Sequence, residues 1–234
     1  MIIRVGLENG YQGQSLAWAL DAPGCFVTGV DGSTAVMNMP RAVLRYAEWV
    51  NSHTAEPWLQ LDDFDIRLVE TYQVYFINER YEVSEKGLEI NAFFRDDWRP
   101  LDHEEIERGL QLLAWSRADL LDLLAPYPDA RLDAAQPGER WSLRGILAHI
   151  ATAEWWYLDR FGLAQAARSD LPKSPRERLD LVRAWLVAGL PQLEGSLQVF
   201  GKDGELWSPR KFLRRCLWHE LDHIGHIARL LAES

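Results

Sequence analysis

The hydrophobic residues of this 234-residue chain change their spacing near Asp102, and this change limits the folds that the chain can adopt. Before it, short apolar runs alternate as in β-strands, and one segment over 34–51 repeats its apolar residues at three- and four-residue steps. After it, the spacing is helical. We therefore predict an α+β chain of two domains, namely a small α+β domain over 1–80, a linker over 81–101 and an all-α four-helix bundle over 102–234.

Helix start signals divide the C-terminal part into four predicted helices. Asp102 begins a capping-box pattern, Ser142 is a candidate cap, and Ser174 and Ser208 each precede a proline. A proline suits the first position of a helix because its missing N–H would have no partner there. The predicted helices cover about 103–125, 142–161, 175–198 and 209–232.

Composition excludes several classes of protein. The formal net charge of −10 would repel nucleic acid, and no run of about 18 apolar residues is present to cross a membrane. The first residues lack the basic and apolar stretches of a secretory signal. Cys25 and Cys216 are too few for a disulfide framework. We expect a cytoplasmic protein with reduced cysteines and neither nucleic acid nor a membrane as a partner.

Two histidines on the last predicted helix have the spacing of a chelating pair. His219 and His223 are four residues apart, so they project side by side, and Cys216 and Leu230 continue the same stripe toward the core. A buried polar group without a partner costs about 1–3 kcal/mol. A metal ion is the partner that suits two neutral imidazoles at once.

A third ligand is expected on another helix. Zinc and similar ions usually take three protein ligands and keep a position open for chemistry. His149 shares a helix face with Ile146 and Ala153, so it also points inward. We predict that His149, His219 and His223 hold a divalent metal ion, zinc or nickel.

The pair also matches the HExxH motif of zinc proteases, in which the glutamate is the general base. The elongated motif needs a glycine and a histidine where this chain has His226 and Arg229, so a downstream ligand is not expected. Glu220, His226 and Glu154 are weak candidates for catalytic roles. The favoured role of Glu220 is a salt bridge to an arginine of a neighbouring helix, and Glu154 could orient a ligand.

Both histidine segments resemble the DinB/YfiT-like family of metalloenzymes. The first runs from Trp141 to His149 and on to Glu154, and the second is His219-x-x-x-His223-Ile-Gly-His226. The resemblance covers about 103–232. It implies a bundle with the same three ligands, and thiol-dependent transfer or isomerisation of a small-molecule substrate with a low-molecular-weight thiol. Metal-assisted hydrolysis is the other reaction left open.

The N-terminal part resembles the HicB-like domain. The resemblance covers about 75 residues and depends on the turn Ala22-Pro23-Gly24-Cys25 and the following Gly29. The segment Gly32-Ser33-Thr34-Ala35 departs from the helix start of that family. No binding function follows from this resemblance.

A non-catalytic protein is the rival hypothesis. In it, the helical part is a binding or dimerisation module, and the histidines are structural or hold a structural metal ion. A closed set of four ligands would favour this role, and an open position would favour an enzyme. The sequence leaves open whether the protein is a homodimer.

Overall fold

Residues 1–232 are described by a computed structural model, in which the chain forms two units. The first unit comprises Met1–Pro100 together with Ser196–Arg214. The second comprises Leu101–Gly195 and the chain from Arg215 onward. None of the helices described over 1–232 combines the length and the apolar character needed to span a bilayer.

A four-stranded sheet organises the first unit. Its spatial order is β3-β2-β1-β4, with β2 antiparallel to both β1 and β3, and β4 parallel to β1. A parallel neighbour needs a crossover connection, which α1 supplies. These elements are β1 (Ile2–Tyr11), β2 (Gln14–Ala19), β3 (Phe26–Gly29), α1 (Gly32–Ser52) and β4 (Asp65–Gln73). The strand-like runs and the helical segment predicted over 34–51 are confirmed.

Apolar side chains of the sheet face α1 and form a core. The buried members of this core are Ile3, Val5, Leu7, Ala17, Ala19, Ala22, Cys25, Ala35, Met39 and Val43. The turn before β3 closes through a hydrogen bond from the Cys25 N–H to the Ala22 carbonyl at 2.9 Å, and Gly24 has a φ of +90°. A residue with a side chain would be strained at that φ, so the Pro-Gly pair of the sequence specifies this turn.

The segment predicted as a linker, 81–101, is folded. It contains β6 (Val83–Ser84) and β7 (Leu88–Ile90), which pair on either side of β5 (Tyr75–Ile77), and a 3₁₀ turn at Arg95–Trp98. The prediction was wrong because its charged residues suggested solvent exposure. Asp97 is buried, and its carboxylate lies 2.6 Å from the guanidinium of Arg214, a partner far away in the sequence.

Residues 196–214 also differ from the prediction, which placed them in the helical region. They belong to the first unit and include a hairpin of β8 (Phe200–Lys202) and β9 (Glu205–Trp207). Asp203 and Gly204 form its two-residue loop with φ values of 53° and 79°. An Asp-Gly pair between two short strand-like segments is a strong hairpin signal, and it could have revealed this element. The buried Lys211 amine anchors the hairpin through Glu205 at 2.7 Å.

Helices dominate the second unit. They are α2 (His103–Leu124), α3 (Asp129–Asp133), α4 (Leu143–Arg160), α5 (Pro175–Gly189) and α6 (Pro209–Ala232), of which α6 enters this unit at Arg215. The predicted caps are confirmed: the side chains of Asp102, Ser142 and Ser174 each accept a backbone N–H in the first turn. The long helices bury apolar residues, among them Leu113, Leu120, Ile146, Ile150, Leu179, Leu186, Leu217 and Ile227.

The third predicted helix is shorter than expected. It was predicted to reach residue 198, but α5 ends at Gly189 and a 3₁₀ turn follows over Leu190–Leu193. Pro191 cannot donate a backbone hydrogen bond to the preceding turn, so the α-helical ladder stops there. Gly195, with a φ of +66°, then turns the chain away from any helical path.

Candidate metal centre

Three imidazoles from two helices converge in the second unit. The Ser142 hydroxyl accepts the N–H of Gly145 at 3.1 Å and sets the start of α4, which places His149 two turns into that helix. His219 and His223 occupy successive turns of α6. One nitrogen atom from each ring lies within 4.8 Å of the other two. The structure therefore brings together the three histidines singled out from the sequence.

The spacing of two of these rings suits ligands of one ion. The Nε2 atoms of His149 and His219 are 3.1 Å apart. Two nitrogen ligands at about 2.0–2.1 Å from an ion are separated by about 3.3 Å in tetrahedral and about 2.9 Å in octahedral geometry. The ring of His223 lies 4.5 Å from that of His219 and 5.0 Å from that of His149, measured between centroids. A nitrogen of His223 lies within 4.8 Å of the other two ligand atoms, so this ring would have to move closer to them to share one ion.

Burial keeps all three rings neutral. The His219 residue is 8% exposed, and burial lowers its pKa well below 6.5, helped by His223 and His149. Burial also lowers the pKa of His149, and it lowers that of His223 to about 3. Within residues 1–232, the Nδ1 atom of His223 is buried without a hydrogen-bond partner. A cluster of neutral rings with one unsatisfied nitrogen has the lone pairs that a metal ion requires.

Aromatic side chains surround the cluster. The indole of Trp141 stacks on the ring of His149, with centroids 4.7 Å apart and planes inclined by 24°. Tyr157 and Trp218 approach His219 edge to face, with centroid distances of 6.1 Å and 5.8 Å. The stacking of Trp141 on His149 was not predicted. Trp141 precedes α4, so the orientation of its side chain depends on the loop before the helix.

The carboxylate of Glu220 faces away from the histidines. Its Oε1 accepts a hydrogen bond from Arg117 at 2.6 Å, and its Oε2 accepts from Arg183 at 2.7 Å and from the Ser116 hydroxyl at 2.5 Å. Burial would raise the pKa of Glu220, but Arg183 and Arg117 outweigh this effect and lower it. The predicted salt bridge is confirmed. A carboxylate with both oxygens occupied and a lowered pKa is a poor general base. This argues against the hypothesis that the HExxH pattern marks a protease.

The two other weak candidates have different surroundings. Glu154 accepts hydrogen bonds from Arg183 Nε at 2.8 Å and from Arg117 Nη2 at 2.9 Å, so it is held by two arginines rather than by a histidine ligand. His226 Nε2 lies 3.1 Å from Glu139 Oε1. Its ring centroid is 6.1 Å from that of His223. His226 therefore borders the cluster but is not one of the three converging rings.

Cys216 lies on the same stripe of α6 as the histidine pair. Its thiol is free and buried, and burial raises its pKa well above 9.0, with Glu154 adding to the effect. A protonated thiol is a poor ligand and a poor nucleophile. The reduced state expected for Cys216 agrees with its free, buried thiol.

The helical region thus contains a candidate metal site, which consists of the three neutral imidazoles of His149, His219 and His223. Residues 112–227 match the family model of the DinB superfamily. The C-terminal region of the chain is therefore DinB-like, and the matched segment contains all three histidines. Searches of curated proteins and of solved structures found no match.

Proposed function

We propose that the helical region is a four-helix bundle of DinB/YfiT type that binds one divalent metal ion and acts as a metal-dependent enzyme. His149, His219 and His223 are the proposed ligands. The observation that carries the proposal is that their nitrogen atoms lie within 4.8 Å of one another. The match of residues 112–227 to the DinB superfamily supports it independently.

The chemistry of the donors favours particular ions. Three imidazoles without a carboxylate or thiolate suit zinc or nickel better than magnesium or calcium, which prefer oxygen ligands. When bound, such an ion acts as a Lewis acid toward a substrate or a low-molecular-weight thiol, which fits thiol-dependent transfer or hydrolysis. The aromatic rings of Trp141, Tyr157 and Trp218 pack against His149 and His219 and would limit the access of water to that side of the site.

The contacts of Glu220, Glu154 and His226 indicate which of these three side chains is available to a substrate. Glu220 and Glu154 are engaged by arginines. His226 contacts Glu139 at 3.1 Å, and its ring lies beside that of His223. Of the three weak catalytic candidates, we therefore favour His226 as the residue that contacts a small-molecule substrate.

Metal content tests the proposal. We expect wild-type protein, produced in cells supplied with zinc or nickel, to bind about one ion per chain through three ligands. His149→Ala should weaken metal affinity by more than about 100-fold, since even residues that only support a ligand contribute about 10–100-fold. His103→Ala is the control, because His103 is exposed and pairs with Glu194 instead. Wild-type protein that binds neither ion would refute the proposal.

A non-catalytic role for the histidines has one observation in its favour. The 3.1 Å separation between His149 Nε2 and His219 Nε2 also allows a hydrogen bond, which would satisfy two rings without any ion. In that case a chelator should leave the melting temperature unchanged. If the proposed site is correct, removal of the metal should lower the melting temperature, because an ion that binds only the folded state stabilises it.

A further inference from the structure

We propose that four buried charged residues fix the register of α4 against α6 and so hold the three histidines together before any metal binds. These residues are Arg117, Glu154, Arg183 and Glu220, named here the Arg–Glu network. They act as positioning residues, because they touch neither the proposed ion nor its ligand atoms. The inference rests on the proposed function.

The Arg–Glu network connects the four long helices of the second unit. Arg117 comes from α2, Glu154 from α4, Arg183 from α5 and Glu220 from α6. All four residues are more than nine-tenths buried. Two positive charges meet two negative charges, so the network is neutral as a whole. Further donors are satisfied by main-chain oxygens, since Arg117 Nη1 donates to the carbonyl of Leu179 at 2.8 Å.

Each arginine bridges the two helices that carry the histidines. Arg183 Nη2 donates to Glu154 Oε2 at 3.0 Å and to Glu220 Oε2 at 2.7 Å. Arg117 donates from Nη2 to Glu154 Oε2 at 2.9 Å and from Nε to Glu220 Oε1 at 2.6 Å. Together with the hydrogen bond from Arg183 Nε to Glu154 Oε1 at 2.8 Å, five charge-assisted hydrogen bonds therefore join α4 to α6 through two planar guanidinium groups, whose donors have fixed directions.

The bridged carboxylates lie close to the histidines along each helix. Glu220 directly follows His219 on α6, and Glu154 lies five positions after His149 on α4. A slip of α4 against α6 by one residue would displace these groups by about 1.5 Å along the axis. Such a slip would break the bridging hydrogen bonds and also separate the His149 and His219 nitrogens. The contacts that fix the Arg–Glu network therefore fix the histidine cluster as well.

Metal affinity of a charge-balanced variant tests this inference. Glu154→Gln combined with Arg183→Met removes one charge of each sign and leaves the Arg117–Glu220 pair in place. Leu120→Ala is the control, because Leu120 is a fully buried residue of α2 outside the network, and its loss also reduces stability. Dissociation constants for Zn²⁺ and Co²⁺ are measured on metal-free protein at a temperature where every variant is folded.

We expect the double variant to bind both ions about 10–100-fold more weakly than wild type and to change the absorption spectrum of bound Co²⁺. Leu120→Ala should leave both properties unchanged. The inference is overturned if the double variant keeps the wild-type affinity, or if Leu120→Ala weakens binding equally. A wild type that binds no metal refutes the proposed function instead, so the two failures are distinct.

A milder variant covers the case in which the double variant does not fold. Ser116→Ala removes only the hydroxyl that lies 2.5 Å from Glu220 Oε2. Weaker metal binding in Ser116→Ala, with Leu120→Ala unchanged, supports the positioning role. Wild-type affinity in Ser116→Ala under those conditions overturns it.

Discussion

His219 and Glu220 are adjacent on α6, yet their side chains contact separate sets of residues. The Nε2 atom of His219 lies 3.1 Å from that of His149, whereas Oε1 of Glu220 lies 2.6 Å from Nε of Arg117. Neighbouring positions of a helix are about 100° apart around its axis, which accounts for the separation. The HExxH pattern in this chain therefore combines a candidate ligand pair with a residue of a buried ion-pair network.

Metal binding should distinguish His223 from His226. His223→Ala removes one of the three converging rings and should lower metal affinity by more than about 100-fold. His226→Ala should keep the ion, because its ring borders the cluster and pairs with Glu139. Metal content and isothermal titration of both purified variants check this. Loss of the ion in His226→Ala, with retention in His223→Ala, would mean that the ligand set is misassigned.

Acid should destabilise the metal-free protein. Burial lowers the pKa of His149, His219 and His223 in the folded state, so the unfolded chain binds more protons as the pH falls below about 6.5. The stability present above that pH is therefore lost on acidification. For His223 this loss of stability takes place between pH 6.5 and about pH 3. Each such group contributes a slope of up to about 1.4 kcal/mol per pH unit.

Urea denaturation of metal-free protein between pH 7 and pH 4 measures this dependence. His223→Leu should flatten the slope, because it removes one group that must stay neutral in the folded state. His103→Ala should not flatten it, since Glu194 raises rather than lowers the pKa of His103. An equal slope in wild type and His223→Leu would contradict the predicted linkage.

Removal of one charge from the Arg–Glu network should be costly. Arg183→Met leaves two buried carboxylates with one arginine and should lower the free energy of unfolding by about 3–5 kcal/mol. Adding Glu154→Gln restores the charge balance, so the double variant should be more stable than the single one. Chemical denaturation of both proteins compares them. A double variant less stable than Arg183→Met would rule out charge imbalance as the cause.

The cap of α2 should make a smaller contribution. Asp102 accepts the Glu105 N–H at 2.8 Å, and the Glu105 carboxylate accepts the Asp102 N–H at 3.0 Å. Asp102→Ala should cost about 1 kcal/mol by removing this reciprocal pair. Glu107→Ala, at an exposed position of the same helix, should stay within about 0.5 kcal/mol of wild type. Thermal and urea unfolding compare the two, and equal losses would show that the cap contributes nothing specific.

Local sequence rules predicted the elements that depend on neighbouring residues. Asp102, Ser142 and Ser174 cap the helices predicted to start beside them. The four-residue spacing of His219 and His223 likewise places both rings on one side of α6 by helix geometry alone. The Asp203-Gly204 loop is also specified locally, because Asp-Gly favours a two-residue hairpin turn.

Longer-range pairings required the tertiary structure. In the sequence, Arg117 and Arg183 cannot be told from arginines of a solvated helix face, because burial is decided by the helices that pack around them. Likewise, the charges of 81–101 suggest a linker in the sequence, whereas in the structure Asp97 of this segment pairs with Arg214.

The sequence by itself determined the strand-rich and helical halves, the caps, the four-residue spacing of the histidine pair on α6 and the resemblance of the C-terminal region to the DinB family. Only the tertiary structure decided that His149 meets this pair, that Glu220 faces two arginines, and that 196–214 belongs to the first unit. The physical reason is the distance along the chain between the residues that interact. Helix starts and i,i+4 pairs depend on a few bonds of one backbone segment, whereas the convergence of side chains from separate helices depends on how their apolar faces pack.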